Sequence, residues 1–123
     1  MSEVAHELRQ AGDLEKALHY YRKGILLWQG FGHRAAVAHQ LECFGFIALE
    51  QRKHKRAATL LSIAENLRGL SNSLRTPAEQ KEYEESKNKL QAQMTESAFN
   101  NAWNEGLAMT MEKAIETALE DSE

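Results

Sequence analysis

Five histidines, one cysteine, an acidic helix and one basic run are the residues of this chain that could carry chemistry. His6, His19, His33, His39 and His54 raise the question of a metal site. "HELRQ" has Gln10 where an H-E-x-x-H zinc helix needs its second His, and no two histidines stand at ligand spacing on one helical face, so ordinary surface or groove histidines are expected. His39 and Cys43 are four residues apart, a spacing that could activate a thiolate on a helix, but no third orienting group or oxyanion loop is evident. A packed or groove cysteine is therefore expected. Glu82, Glu84 and Glu85 lie in a strongly polar segment and read as solvated surface charge rather than as an acid/base pair. The run Arg52, Lys53, His54, Lys55, Arg56 falls at an inter-helix turn and reads as a solvated corner rather than a phosphate site. No catalytic residue, metal or cofactor is expected, and the chain is read as non-enzymatic.

The elements that would hold these residues are helical. Ala, Leu, Glu, Lys, Arg and Gln dominate the 123 residues, with 42% hydrophobic, 27% charged and a single proline. A chain of this size forms one domain with one core. A net charge of −3 supplies no basic stripe for nucleic acid. The lone cysteine, the absence of a secretory leader and the lack of any run of eighteen apolar residues make the cytoplasm the expected compartment, with no membrane contact.

Leu14, Ala17, Leu18, Tyr21, Ile25 and Trp28 form one helical face, preceded by a shorter stripe of Val4, Ala5, Leu8 and Ala11. Gly12 stops the first helix and Asp13 caps the second. After "QGFGH", Val37, Leu41, Phe44 and Ala48 line a third helix, and after "EQRKHK", Ala57, Leu60, Leu61, Ala64 and Leu67 line a fourth. Shifting the first hairpin by forty residues places Leu8 on Ala48, Ala5 on Gly45, Ala17 on Ala57 and Tyr21 on Leu61, which reads as a two-unit repeat. The loop "GLSNSLR" then leads to a capping box of Thr76 and Glu79 with Pro77 at the first helical position. The helix that follows has only Tyr83, Leu90 and Met94 as large apolar residues, a thin buried seam. Two last helices carry Phe99, Ala102, Trp103 and Gly106, then Met111, Ala114, Ile115, Ala118 and Leu119 behind a Thr110 cap. These aromatic and Met stripes read as a cap over the last repeat, and the Glu-rich polar face of the final helix argues against a lipid-binding tail.

"AGDLEKALHYYRKGI" and "FGFIALEQRKHKRAATLLSIAENLR" resemble tetratricopeptide repeat units, with Ala5 and Gly45 as the small residues that let paired helices approach and Ala17 and Ala57 packing early in the second helix. The offset of forty residues departs from the usual thirty-four. The run from Arg56 to Glu120 further resembles the end of the helical-repeat region of large bacterial signalling ATPases and LuxR-type transcriptional regulators. It has an A-x-L-L-x-x-A-E-x-L-R helix, then P-x-E-x-x-x-Y, F-x-x-A-W-x-x-G and E-x-A-I in that order.

The resemblance implies an all-α, tetratricopeptide-like stack of antiparallel hairpins, a short right-handed superhelix of about seven helices: hairpins over 1–31 and 34–69, and capping helices over 76–120. It implies a protein-interaction or effector-sensing scaffold in transcription regulation or signal transduction, with a protein partner or other domains of the same regulator on its concave groove. The nucleotide-binding motif and the basic recognition helix of such regulators are absent from this chain, and its first unit begins almost at Met1, so a piece of a larger regulator is expected. By the repeat register, the groove presents His6 and Arg9 from one unit and His39, Glu42, Phe46 and Glu50 from the next. Phe46 sits off the helix-three stripe, so it is either a half-exposed recognition anchor or, with Leu49, packed on a neighbouring repeat. The alternative is a free-standing adaptor that homodimerises through its exposed end.

Overall fold

The computed structural model describes residues 2–71 and 74–120, and its side chains from residue 5 to 70 and 74 to 120. The side chain of Val4, residues 72–73 of the predicted loop, and Asp121 and Glu123 lie outside that description. The fold is all-α, with seven helices in the described residues: α1 Ser2–Gln10, α2 Leu14–Gly30, α3 Arg34–Glu50, α4 His54–Ser71, α5 Pro77–Gln93, α6 Glu96–Leu107 and α7 Met111–Glu120. None of them is long and apolar enough to cross a membrane.

Local chemistry sets the helix ends. The Asp13 carboxylate accepts from the Lys16 N–H at 3.3 Å, and the Thr110 hydroxyl accepts from Lys113 N–H at 3.2 Å. Thr76 and Glu79 exchange the two hydrogen bonds of a capping box, at 2.8 and 3.2 Å, ahead of Pro77. His33 caps α3 by accepting from Ala36 N–H through Nδ1 at 3.1 Å, which assigns that histidine a structural task.

Helices α2, α3 and α4 begin at residues 14, 34 and 54, and left-handed residues stand at Gly12, Gly32 and Arg52, so one helix plus its turn repeats every 20 residues. Each turn closes with the same two bonds: Gly12 N–H to Arg9 O and Asp13 N–H to Leu8 O, then Gly32 to Gln29 and His33 to Trp28, then Arg52 to Leu49 and Lys53 to Ala48. This pairing of a five-residue and a three-residue reach is the Schellman closure, which wants φ > 0 at its pivot. Glycine meets that demand at residues 12 and 32; Arg52 meets it at φ 62° with a Cβ in the way. Arg52 is exposed, so Arg52→Gly should raise stability by about 0.5–1 kcal/mol, after the added unfolded-chain entropy is subtracted. A urea midpoint that stays put or falls would contradict this.

The α3–α4 hairpin is the centre of the molecule. Gly45 allows the two helices to meet: a Cβ there would stand 2.9 Å from Leu61 Cδ2. Eleven of the seventeen α3 residues are buried, including everything from Gln40 to Ala48, because packed layers lie on both of its faces. One core cluster joins α1, α2, α3, α4 and α7 through Tyr21, Ile25, Leu41, Phe44, Ile63 and Ile115. The other joins α3, α4, α5 and α6 through Phe46, Leu61, Tyr83, Leu90 and Phe99. The two C-terminal helices, expected as one capping pair, divide between these clusters. Helix α6 docks along α4, while α7 reaches the opposite cluster, where Arg56 donates to its Thr117 and Ala118 carbonyls at 3.1 and 2.8 Å.

Candidate functional site

Helices α1 and α3 and the polar helix α5 enclose a charged cleft. Arg9, in the last turn of α1, is 4% exposed and reaches across to α5, where Nη1 and Nη2 donate to the two carboxylate oxygens of Glu82 at 2.7 and 3.1 Å. Its guanidinium also lies 5.1 Å from the centre of the Phe46 ring. On α3, one turn before Cys43, the His39 Nδ1 stands 3.4 Å from Glu79 Oε2 on α5. Arg9, Glu82, His39 and Glu79 thus form two cross-links from α1 and α3 to α5, with both acids on α5.

At the floor of the cleft Glu42, 1% exposed, is held between two arginines. Arg68 Nη2 donates to Oε2 at 3.1 Å and Arg75 Nε to Oε1 at 2.6 Å. Arg75 stands in the link between α4 and α5; it also pairs with Glu65 at 3.2 Å and covers the Tyr83 ring at 3.7 Å. One side chain therefore ties α3, α4 and α5 together.

Five of the six groove residues chosen from sequence, His6, Arg9, His39, Glu42 and Phe46, line a single cavity of about 360 Å³. Glu50 lines a neighbouring cavity of about 550 Å³ that shares Arg9, Phe46 and Glu82 as its wall. His6 and Glu50 are exposed, and His39 is half-buried. Phe46 is not a half-exposed anchor. It is 5% exposed and packed with Tyr83 and Leu90 of α5, because α5 closes the face on which the aromatic would have stood open. Glu42 is likewise no free carboxylate for a partner, since two arginines consume it.

Sequence reasoning missed the α5 side of the cleft. Glu79 was read only as a helix cap and Glu82 as solvated charge, yet Glu82 faces the Arg9 guanidinium of α1 and Glu79 the His39 imidazole of α3. The available signal was their spacing with Tyr83: positions i, i+3 and i+4 share one face of a helix.

The thiol and imidazole are close, with Cys43 Sγ 3.8 Å from His39 Nε2, and Glu79 supplies a third group on the other ring nitrogen. The surroundings do not activate them. Burial pushes the Cys43 thiol up to about 12, and burial holds His39 below its ordinary value despite Glu79 and Glu42. Both groups are neutral at pH 7, which leaves no thiolate. Among the described residues no group of three or more His, Cys, Asp or Glu side chains is placed to hold a metal ion.

These shifts fix the sign of the acid response. His39 has a folded value below 6.5, so as pH falls the unfolded chain takes up the proton first and stability is lost below about pH 6.5. Burial alone would raise Glu79, but the Thr76 N–H and His39 outweigh it and hold the carboxyl below 4.5, so further stability is lost as pH falls through that range. The urea midpoint should drop between pH 7.5 and pH 5, and His39→Gln should flatten that drop. An unchanged slope in the variant would exclude His39 as its source.

The basic run divides: Arg52 and His54 line the 550 Å³ cavity beside Glu50, while Lys53, Lys55 and Arg56 lie along a separate cavity of about 660 Å³ between the start of α4, α6 and α7. Lys53 and Lys55 are exposed there, beside Glu105 and Glu120, and Arg56 is engaged by the last carbonyls of α7.

No family model matches this chain, and neither a curated protein nor a solved structure matches it.

Proposed function

We propose that this chain is a non-enzymatic interaction domain, a tetratricopeptide-like stack that serves as a scaffold or effector sensor within a bacterial transcriptional or signalling regulator. The observation that carries the reading is the cleft itself: residues from α1, α3 and α5 converge on two adjoining cavities whose walls carry both arginine and glutamate side chains. A concave, charged surface held on rigid helices suits recognition of a polypeptide, and the neutral Cys43–His39 pair supplies no nucleophile. The twenty-residue period of α2, α3 and α4 supports a repeating helical unit, and the close approach at Gly45 supports the pairing of helices within one hairpin. The regulator context rests on the order of motifs from Arg56 to Glu120.

The test uses the reading frame upstream of Met1. It is expected to encode a nucleotide-binding domain, and that domain, produced separately, should bind this chain. His6→Asp and Glu50→Lys, both at exposed cleft positions, should each weaken binding about tenfold in calorimetry, with helicity by circular dichroism unchanged. A frame without such a domain, or binding indifferent to both substitutions, removes the reading.

One observation favours the adaptor alternative. Leu26, Leu27 and Phe31, at the end of α2 and its turn, are 52%, 49% and 72% exposed, an apolar edge that a second copy could cover. Light scattering decides: a mass that stays monomeric across a hundredfold range of concentration excludes it.

A further inference from the structure

We infer that α5 is a resident occupant of the cleft, and that the cleft accepts, in exchange for α5, an acidic partner helix carrying two carboxylates and an aromatic ring at the spacing of Glu79, Glu82 and Tyr83. The inference rests on the interaction reading above and specifies its partner. Three observations carry it. The first is polarity: both cross-links from α1 and α3 to the body of α5 place the carboxylate on α5, Glu82 answering the Arg9 guanidinium and Glu79 answering the neutral His39 imidazole. Although Glu7, Glu42 and Glu50 also line the cavities, Arg9 offers a docked helix a bidentate carboxylate site, and Phe46, lying under Arg9 and beside Tyr83, adds an aromatic floor.

The second is the thinness of the α5 attachment. Of its seventeen residues only Tyr83, Ser86 and Leu90 are buried, and Glu79 and Glu82 keep about a third of their side-chain surface exposed. Cavities stand on both sides of the Arg9–Glu82 link, so an incoming helix has a foothold before α5 leaves. The third is independence of the neighbour. Helix α6 is fastened to α4 directly, by Ser62 Oγ donating to the Trp103 carbonyl at 2.6 Å and by the close approach at Gly106. Release of α5 would cost α6 the apolar cluster they share and the Lys87–Trp103 contact at 4.5 Å, but not its attachment to α4. Segments attached by few buried apolar groups open locally, below the global unfolding free energy.

The experiment has two arms on the full chain. In hydrogen exchange, α5 amides should exchange faster than those of α3 and α4. Glu82→Gln should speed α5 about tenfold while leaving α3 and α4 unchanged, the expected loss for one half-exposed charge-assisted pair. Because Glu82→Gln leaves Arg9 without its carboxylate and could perturb the fold, the same acceleration is also sought in the unaltered chain in 1 M NaCl, which screens the partly exposed pairs. In the second arm a fluorescein-labelled peptide of sequence TPAEQKEYEESKNKLQAQM is titrated into the chain and followed by anisotropy. It should bind the Glu82→Gln chain about tenfold more tightly than the unaltered one, and the same peptide with Glu79→Lys and Glu82→Lys should not bind.

Exchange of α5 in step with α3 and α4, or peptide binding that ignores the charge reversal, overturns the inference. If α5 stays closed while the upstream domain still binds at His6 and Glu50, the exchange of helices falls and the interaction reading stands. If α5 opens and takes the peptide but the upstream domain does not bind, the reverse holds.

Discussion

Glu42→Ala should cost about 3–5 kcal/mol, a large share of the 5–15 kcal/mol that holds a small domain folded. The loss comes less from the attraction removed than from what is left behind. Arg68 and Arg75 reach Glu42 at 3.1 and 2.6 Å in a setting where all three side chains are at most 6% exposed, so the variant removes the carboxylate that two buried guanidinium groups share and leaves Arg75 to fall back on Glu65 at 3.2 Å. Glu42→Gln keeps an acceptor for one of them and should be milder. Replacing all three residues together, as Glu42→Leu, Arg68→Met and Arg75→Met, should recover most of the stability, since apolar residues of similar volume often equal a buried ion cluster. Urea denaturation at pH 7 measures each of these. A single Glu42→Ala variant within 1 kcal/mol of the parent would show that water reaches the site and that the cluster contributes little.

Gly106→Ala should be nearly as damaging, at about 3 kcal/mol, although it adds one methyl group. That methyl would overlap the Ser62 hydroxyl and the Thr59 carbonyl of α4, and the carbonyl belongs to backbone that cannot rotate aside. Helix α6 would have to lift, and the Ser62–Trp103 bond at 2.6 Å and the Thr59–Ala102 bond at 3.4 Å would stretch with it. Adding Ser62→Gly removes the hydroxyl overlap and leaves the carbonyl, so the double variant should regain only part of the loss. Full rescue by Ser62→Gly would place the whole clash on the side chain. In a thermal melt of a domain this size the single variant should lose on the order of 10 °C or more.

The parts of the fold that are local were legible in the sequence. Thr76, Pro77 and Glu79 announce a helix start because a capping box is closed within four residues, and Gly12 announces a stop because its turn needs only its own neighbours. The stripe Val37, Leu41, Phe44 and Ala48 gave the face of α3 toward one layer. It concealed the other face, because periodicity assumes a helix with one wet side, and α3 has packed layers on both. "CFGFIAL", uninterrupted by charge from Cys43 to Leu49, was the signal that Phe46 is buried too. The cleft was half legible. Repeat register placed His6, Arg9, His39 and Phe46 on one surface, but the acids that answer them lie far along the chain, with Glu82 seventy-three residues from Arg9. A pairing over that distance leaves no mark in local spacing, so Glu82 looked like any solvated carboxylate. Glu42 was placed on the right helix with the wrong environment for the same reason, since Arg68 and Arg75 reach it from 26 and 33 residues away.

The hold of Arg56 on the carbonyls of Thr117 and Ala118 has a consequence for the order of assembly. The α1–α2, α2–α3 and α3–α4 contacts join helices that follow one another directly, so they close short loops and form early. The Arg56 bonds span 61 and 62 residues, and they need both the start of α4 and the finished end of α7. Docking of α7 is then expected late, on the native side of the folding barrier, so Arg56→Met should speed unfolding more than it slows folding in stopped-flow kinetics. The same guanidinium that offers the last turn of α7 its donors acts as a latch on lifetime rather than as a guide to the fold.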